Sequence, residues 1–578
     1  MFDVMEPLTQ FSPLAGRLVE EIVPGKANTK AEYENDMAAA NGADRTMFGY
    51  APRSGCPDSK QTQVLFVLRD GSDEASAQAA MDALGLDKLA EEQHFLLLFP
   101  NPAEDGWNSA WDIDFLSRCF AQLRGAKLGV NGFNGMLFYL ALSPAASALL
   151  ADMIALRPAN VTAAMLGSLP EGYAMPKEAL GIECAAWCPP GPLADYLRRA
   201  NGVRPDSADA QTGCLTGSDL EVRLFVREEK ISADTVRTAW AELFGPSRRW
   251  QNDVHGRYHH RTDFTARGFT AHVQDTSLGV NDGFAHTWFE YVPPQLRGTA
   301  EKVPLVFYLH GINCVPLYGA EQSNWHDIAD REGLIVVYPA PARAKAWNIY
   351  DLPNQPSDFD FILALIDHMK QVHPIDESRI YLSGFSMGGM MCHAFSAAYP
   401  ERFAAAAPNN AFAFNRFKDP AAALVPLMRG ATEEQVGHVS YSAQTADRKK
   451  AAKPGLRMPI FQCAGAEDAL IAGWPVCEGT DDVRLKTLHW WQEYNNIPLC
   501  GMDSTTDSGL AADESSWLDA EKRYFHQSWK SADENGLPLL ELMLAKRMPH
   551  AIDPVQVEWA WEYLRHFARA ADGSLLYR

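Results

Sequence analysis

The chain repeats itself, and the repeat limits the fold more than any single motif does. TMFGYAP at Thr46–Pro52 is answered by TWFEYVP at Thr287–Pro293, and VLFVLRDG at Val64–Gly71 by PLVFYLHG at Pro304–Gly311. FLLLFP at Phe95–Pro100 is answered by LIVVYP at Leu334–Pro339, and Trp107-Asn108 by Trp347-Asn348. These matches come in order, each pair roughly 240 residues apart, which is the signature of one fold built twice. At 578 residues the chain exceeds what one hydrophobic core usually holds. Two tandem domains are therefore expected, residues 1–251 and 252–578.

Within each copy the apolar runs are short, β-branched or aromatic, and separated by helix-length segments. That rhythm predicts an α/β domain, a mostly parallel sheet with helices on both faces. In the second copy strands are predicted near Gly268–Gln274, Thr287–Val292, Pro304–Leu309, Gly333–Tyr338, Arg379–Ser383, Phe403–Ala407, Met458–Cys463 and Leu539–Leu544. Helices are predicted over Gln322–Glu332, Phe359–Val372, Gly388–Ala398, Asp482–Asn495 and Pro554–Arg569.

The chemistry-bearing stretch is RIYLSGFSMGGMMCHAFSAAYP at Arg379–Pro400. An apolar strand runs into Gly384-Phe385-Ser386-Met387-Gly388, and an Ala- and Met-rich helix follows. This is the strand–turn–helix setting that a G-x-S-x-G nucleophile elbow needs: the tight turn lifts the serine hydroxyl off the sheet. The plainer reading of Ser386 is a serine that only caps a helix. Partners in the order serine, acid, histidine decide between the two. MPIFQCAGAED runs a strand into a turn carrying Glu467 and Asp468, and an acid beyond a strand's carboxyl end stands at the functional edge of such a sheet. Asp468 is the expected member, with Glu467 its neighbour and rival. LPLLELMLAKRMPH then runs the last strand into His550, ahead of an Asp553-Pro554 helix start. His526 and His566 lie outside that position. Strand order with the elbow after the fifth strand is that of the α/β-hydrolases.

The second copy resembles the polyhydroxybutyrate depolymerase and feruloyl esterase group of serine esterases. The residues that carry the likeness are LVFYLHG at Leu305–Gly311, Trp325 with IADREGLIVVYP, Trp347-Asn348, the elbow with its YPERFAAAAP continuation, AGAED, and His550. It covers roughly residues 264–570. The resemblance implies an acyl-enzyme mechanism on hydroxyacyl or hydroxycinnamoyl and acetyl esters, with Ser386 as nucleophile, His550 as base and Asp468 as its orienting acid. The backbone N–H groups of Met387 and Ile312 are the expected oxyanion donors. His310 is expected to shape that loop. Trp347 and Trp474 are expected either on an apolar substrate pocket or in ordinary packing.

In the first copy Gly132-Phe133-Asn134-Gly135 is read as the elbow counterpart, with Asn134 in the nucleophile's place. IECAAWCPPGP, read as the counterpart of the acid loop, has no Asp, and Glu229 and Lys230 stand where the histidine would be. The first domain is therefore expected to be a degenerate hydrolase repeat without catalysis.

A formal net charge of −22 argues against a nucleic-acid or anionic-membrane partner. No signal peptide is read at MFDVMEPLTQF, and the ten cysteines are read as buried thiols, so a cytoplasmic protein is expected. No cofactor and no metal is expected. His255, His259, His260 and His272 cluster in a polar lead-in without a second ligand set. The expected partner is a small or oligomeric ester substrate, and oligomeric state is not readable. The competing readings are a serine peptidase or acyltransferase on the same fold, and a non-enzymatic binding scaffold.

Overall fold

The computed structural model describes residues 8–25, 43–57, 62–123, 128–204, 208–209, 213–217, 221–250, 256–342, 346–352, 355–413, 455–468, 473–476 and 482–578. The chain divides into two compact units, Met1–Phe264 and Thr265–Arg578. The boundary expected at residues 251 and 252 lies outside the described residues.

In the first unit the sheet strands are β1 (Val19–Val23), β2 (Arg45–Tyr50), β3 (Thr62–Leu68), β4 (Leu96–Pro100), β5 (Gly132–Ala141), β6 (Ala163–Leu166), β7 (Ala185–Cys188), β8 (Leu215–Thr216) and β9 (Arg223–Val226). They lie in the order β1-β2-β4-β3-β5-β6-β7-β9-β8. The run from β4 to β9 is parallel, and β1, β2 and β8 pair antiparallel at the two edges. A hairpin of β10 (Ser247–Arg249) and β11 (Tyr258–His260) follows.

The second unit repeats that plan. Its strands are β12 (Thr270–Asp275), β13 (His286–Tyr291), β14 (Val303–Leu309), β15 (Ile335–Pro339), β16 (Ile375–Phe385), β17 (Ala405–Asn409), β18 (Ile460–Gly465), β19 (Glu514–Trp517), β20 (Tyr524–Lys530) and β21 (Pro538–Ala545). The order is β12-β13-β15-β14-β16-β17-β18-β21-β20-β19, again parallel from β15 to β21 and antiparallel at both edges. Element for element this is the α/β-hydrolase order, with the elbow after the fifth strand. Every residue of β3, β14 and β15 is buried, which is what helices on both faces of a parallel sheet require.

The same polar clamps close both units. Arg249 donates to the carbonyls of Val161, Gly256 and Glu183. Arg569 donates to those of Phe403, Gly573 and Arg457 from the matching hairpin of β22 (Phe567–Arg569) and β23 (Leu575–Tyr577). Asn201 exchanges two hydrogen bonds with the backbone of Cys184, and Asn495 does the same with Met458. A buried guanidinium is satisfied here by carbonyl oxygens instead of a carboxylate, and each pins a hairpin to the amino-terminal ends of two strands.

Four expectations are corrected. The segment read as one helix, 322–332, is two, Pro316–Ser323 and Trp325–Glu332, broken where Asn324 takes the left-handed conformation at φ 56°. The last helix stops at Leu564, because Phe567–Arg569 turns into a strand that places the Arg569 clamp. β19 and β20 extend the sheet beyond the expected strands; the polar, exposed β19 carries no apolar run to announce it. Finally, Gly132-Phe133-Asn134-Gly135 is not an elbow but the opening of β5, with Asn134 buried at 4 % exposure.

Candidate active site

β16 ends at Phe385, and Ser386 follows with φ 55° and ψ −121° before the helix Met387–Ala398 begins. That conformation costs a non-glycine residue roughly 1–3 kcal/mol and persists only when neighbours enforce it. They do so on both sides. The Ser386 N–H donates to Asn409 O at 2.9 Å, and Met390 N–H donates to Ser386 O at 2.9 Å. A Cβ on Gly388 would stand 2.0 Å from Leu309 O and 2.6 Å from His310 O, so only glycine lets the helix's first turn rest on the end of β14. A Cβ on Gly311 would lie 3.3 Å from the Ser386 Cβ, which shows how closely the His310–Ile312 loop runs against the elbow.

His550, in the loop after β21, brings Nε2 to 2.8 Å from Ser386 Oγ and Nδ1 to 2.7 Å from Asp468 Oδ2. His550 is 7 % and Asp468 2 % exposed, so the bond between them is shielded from water, while Ser386 is half-buried. Glu467 is exposed; its N–H donates to Met548 O at 3.0 Å, which orients the turn so that Asp468 and not Glu467 reaches the histidine. The Phe385 ring packs against the imidazole with centroids 4.8 Å apart. Asp553 caps the next helix through Gln556 N–H at 3.0 Å and accepts Tyr524 Oη–H at 2.7 Å, fixing the far end of the His550 loop.

The N–H groups of Ile312 and Met387 have no acceptor among the described residues; Met387 follows Ser386 directly, and Ile312 follows Gly311, which runs against Ser386. His310 is buried, with Nδ1 2.8 Å from Gly311 O, and its own carbonyl accepts Trp347 Nε1–H at 2.7 Å. Of the two readings expected for Trp347, its full burial fits packing: it is a strut beneath the His310–Ile312 loop, not a pocket wall. Trp474 is half-buried, donates its backbone N–H to Ala466 O at 2.8 Å, packs on Phe412 and Val483, and lies under the Arg484 guanidinium. It stands beside the acid turn.

Sequence reasoning passed over Asn409 and Asn410, at the carboxyl end of β17. Both are buried, at 2 % and 1 % exposure. The only signal was two adjacent asparagines following AAAAP, where a parallel strand ends. The histidines weighed as a metal cluster do other things. His259 stacks on Trp250, His260 Nε2 meets Glu221 O, and His272 stacks on Trp288. His255 lies outside the described residues. Among the described residues no group of three or more His, Cys, Asp or Glu side chains is placed to hold a metal, and no helix is long and apolar enough to cross a membrane.

The first unit offers its own comparison. Leu68, last in β3, pairs with Ala141 as Leu309, last in β14, pairs with Gly384. Ser143 therefore occupies the place of Ser386. It has extended backbone, φ −133° and ψ 162°, caps the helix Pro144–Leu156, and is followed by a proline that has no N–H. The crevice there is a cavity of about 620 Å³ whose lining includes Leu142, Leu166, Gly167, Pro189, Glu229 and Ile231.

Residues 287–474, roughly a third of the chain, match the family described as Esterase PHB depolymerase. A bifunctional acetylxylan esterase/xylanase of Neocallimastix patriciarum is 37% identical over 119 residues, 20% of this chain and 17% of that one. A poly(3-hydroxyalkanoate) depolymerase C of Paucimonas lemoignei is 33% identical over 144 residues, 24% of this chain and 33% of its own. A feruloyl esterase B of Neurospora crassa is 28% identical over 169 residues, 27% of this chain and 55% of its own. The chain thus spans less than two thirds of the length of each of these relatives.

Proposed function

We propose that this chain is a serine carboxylic ester hydrolase with its catalytic centre in residues 252–578 and a catalytically silent copy of the same fold in residues 1–251. One observation carries the reading: Ser386, His550 and Asp468, far apart in sequence, stand in hydrogen-bond series at 2.8 Å and 2.7 Å, on a serine held at φ 55°. The matches to esterases and a depolymerase support the same chemistry.

In the mechanism, Ser386 Oγ attacks the ester carbonyl while His550 Nε2 accepts its proton and returns it to the leaving alkoxide. Asp468 accepts the Nδ1–H, fixing the tautomer and stabilising the imidazolium as it forms. The tetrahedral oxyanion is met by the N–H groups of Met387 and Ile312, worth about 3–4 kcal/mol per donor in such sites. Water activated by His550 then releases the acyl group. Substrates of the hydroxyacyl, hydroxycinnamoyl or acetyl ester class are proposed, with Trp474 contributing an apolar wall.

The silent copy is supported by the shared strand order, by Pro144 in place of an oxyanion donor, and by Glu229 in place of a histidine. Turnover of acetyl, butyryl, 3-hydroxybutyryl and feruloyl esters, compared between the wild type and Ser386→Ala, tests the reading. Loss of at least about 10³-fold in the variant is expected. A variant retaining a tenth of the activity, or a wild type that cleaves only peptides or only transfers acyl groups to added alcohol, overturns it.

A further inference from the structure

We infer that Asn410, together with Asn409, is a positioning residue that locks the three loops of the proposed triad to one another; the inference rests on the esterase reading above. Asn410 stands at φ 46°, where asparagine is among the few non-glycine residues found readily. Its N–H donates to Cys463 O at 2.9 Å. Its side-chain Oδ1 accepts Gly465 N–H at 2.7 Å, and its Nδ2 donates to Asn409 Oδ1 at 2.7 Å and to Ala551 O. Gly465 opens the turn that carries Asp468, whose own N–H returns to Gly465 O at 3.3 Å. Ala551 follows His550 directly. The carbonyl of the preceding Asn409 accepts Ser386 N–H, and the Asn409 amide donates to Gln556 Oε1 at 3.2 Å, in the helix beyond His550. Two adjacent residues thus touch the nucleophile, the acid turn and the histidine loop.

A side-chain amide of this length can do this from one position. It accepts and donates at the same time, whereas a carboxylate only accepts and a hydroxyl is too short to bridge both loops.

The competing explanation is that the pair merely satisfies buried backbone groups, as many buried amides do. The chain contains its own control. Tyr381 pairs with Ala405 as Phe138 pairs with Ala163, so Gly167-Ser168 occupy the first unit's equivalent of Asn409-Asn410. Clamps that the fold requires recur in both units, Arg249 with Arg569 and Asn201 with Asn495. The Asn409-Asn410 pair occurs only beside Ser386, His550 and Asp468. A device absent from the unit that folds the same way without the triad serves the triad.

The test uses the full chain. Asn410→Gly keeps the positive φ available and removes both side-chain tethers. Its kcat is expected to fall about 10²-fold, the cost typical of a misplacement near 1 Å. KM should stay near wild type, and fluorophosphonate labelling of Ser386 should slow by a similar factor. In an Asp468→Ala background the same substitution should cost much less, because there is no relay left to align. A purely structural role would lower the melting temperature and cost the same factor in both backgrounds, and that result overturns the inference, as does an Asn410→Gly enzyme of wild-type kcat. If Asn410→Gly does not fold, Asn410→Asp is read identically: it retains an acceptor for Gly465 N–H and loses the donor to Ala551 O. Ser386→Ala separates the two failures. An active Ser386→Ala sinks the esterase reading itself, whereas a dead Ser386→Ala beside a fully active Asn410→Gly sinks only the positioning role.

Discussion

At the scale of single residues, the neighbours Glu467 and Asp468 are set on opposite sides of one turn. The Glu467 N–H is held by Met548 O, which leaves its side chain in solvent and sends Asp468 inward to His550. Asp468→Asn is expected to lower kcat by about 10⁴-fold, because the amide presents the wrong partner to the imidazole N–H. Glu467→Gln should leave kcat close to wild type. Steady-state kinetics on an aryl ester decide, and the reverse pattern would move the acid by one residue. Gly388 is a second single-atom constraint. Gly388→Ala adds a Cβ 2.0 Å from Leu309 O, against backbone that cannot rotate away, so the elbow must separate from β14. A destabilisation of about 1–3 kcal/mol is expected, with loss of turnover beyond what that destabilisation explains. The strand-end places of Ser386, Asp468 and His550 were legible because the apolar pattern marks the strands that lead to them. The place of Asn410 was not, since its proposed role lies in which loops its amide reaches, and no local pattern encodes that.

At the scale of elements, the parallel strands of both sheets were legible because both of their faces are buried, which writes them as apolar runs between turn residues. β19 was hidden for the converse reason: ESSW at Glu514–Trp517 is an edge strand with mostly exposed side chains. The misread elbow at Gly132–Gly135 has a different cause. Two glycines spaced like an elbow drew the reading, whereas the hydrogen-bond register puts the true counterpart at Ser143, in ALSPAA, with no glycine at all. Helix packing also sets a pH response. Burial lowers His326 and His393 to about 4, and His286 likewise to about 4. His393, on the helix Met387–Ala398, accepts Trp491 Nε1–H from the helix Val483–Tyr494 at 2.9 Å, a bond that needs the neutral ring. Folded imidazoles bind protons less readily than unfolded ones. The unfolded chain therefore takes up more protons below the ordinary value of 6.5, and stability falls from there down to about 4. Asp358, raised to about 7 by burial, opposes this, since its folded carboxyl keeps its proton through the same window. Three groups outweigh one. The melting temperature of the second unit should be flat above about pH 7 and drop steadily as pH falls below 6.5. Asp358→Asn should steepen the drop. A profile unchanged between pH 7 and pH 5 would refute this account.

At the scale of the whole chain, two units of one topology hold one proposed catalytic centre. What the first unit lacks is more than a serine partner. Ser143 has the hydroxyl, but its backbone is extended and the hydroxyl caps the helix Pro144–Leu156 through Ala146 N–H, so it is not lifted toward a substrate. Pro144 removes the N–H that Met387 supplies in the second unit. His550 stands three residues before the N-cap Asp553, and the residue three before the N-cap Ser232 is Glu229, half-exposed and within 3.6 Å of Arg227. Glu229 is turned toward Arg227, and no imidazole stands at this position to take a proton from a serine hydroxyl. The turn directly after β7 holds Pro189, Pro190 and Gly191 and no acid, and Gly167-Ser168 stand in place of Asn409-Asn410. Each deficit alone would lower reactivity by orders of magnitude, and residues that act as a unit do not recover one at a time. A fluorophosphonate should therefore add once per chain, to Ser386. Intact-mass measurement should show a single adduct in the wild type and in Ser143→Ala, and none in Ser386→Ala. Pro144→Met, which restores the backbone donor alone, should still give only one. A second adduct in the wild type, or any adduct that survives Ser386→Ala, would mean that the first unit keeps a reactive serine and that the two copies divide the chemistry between them.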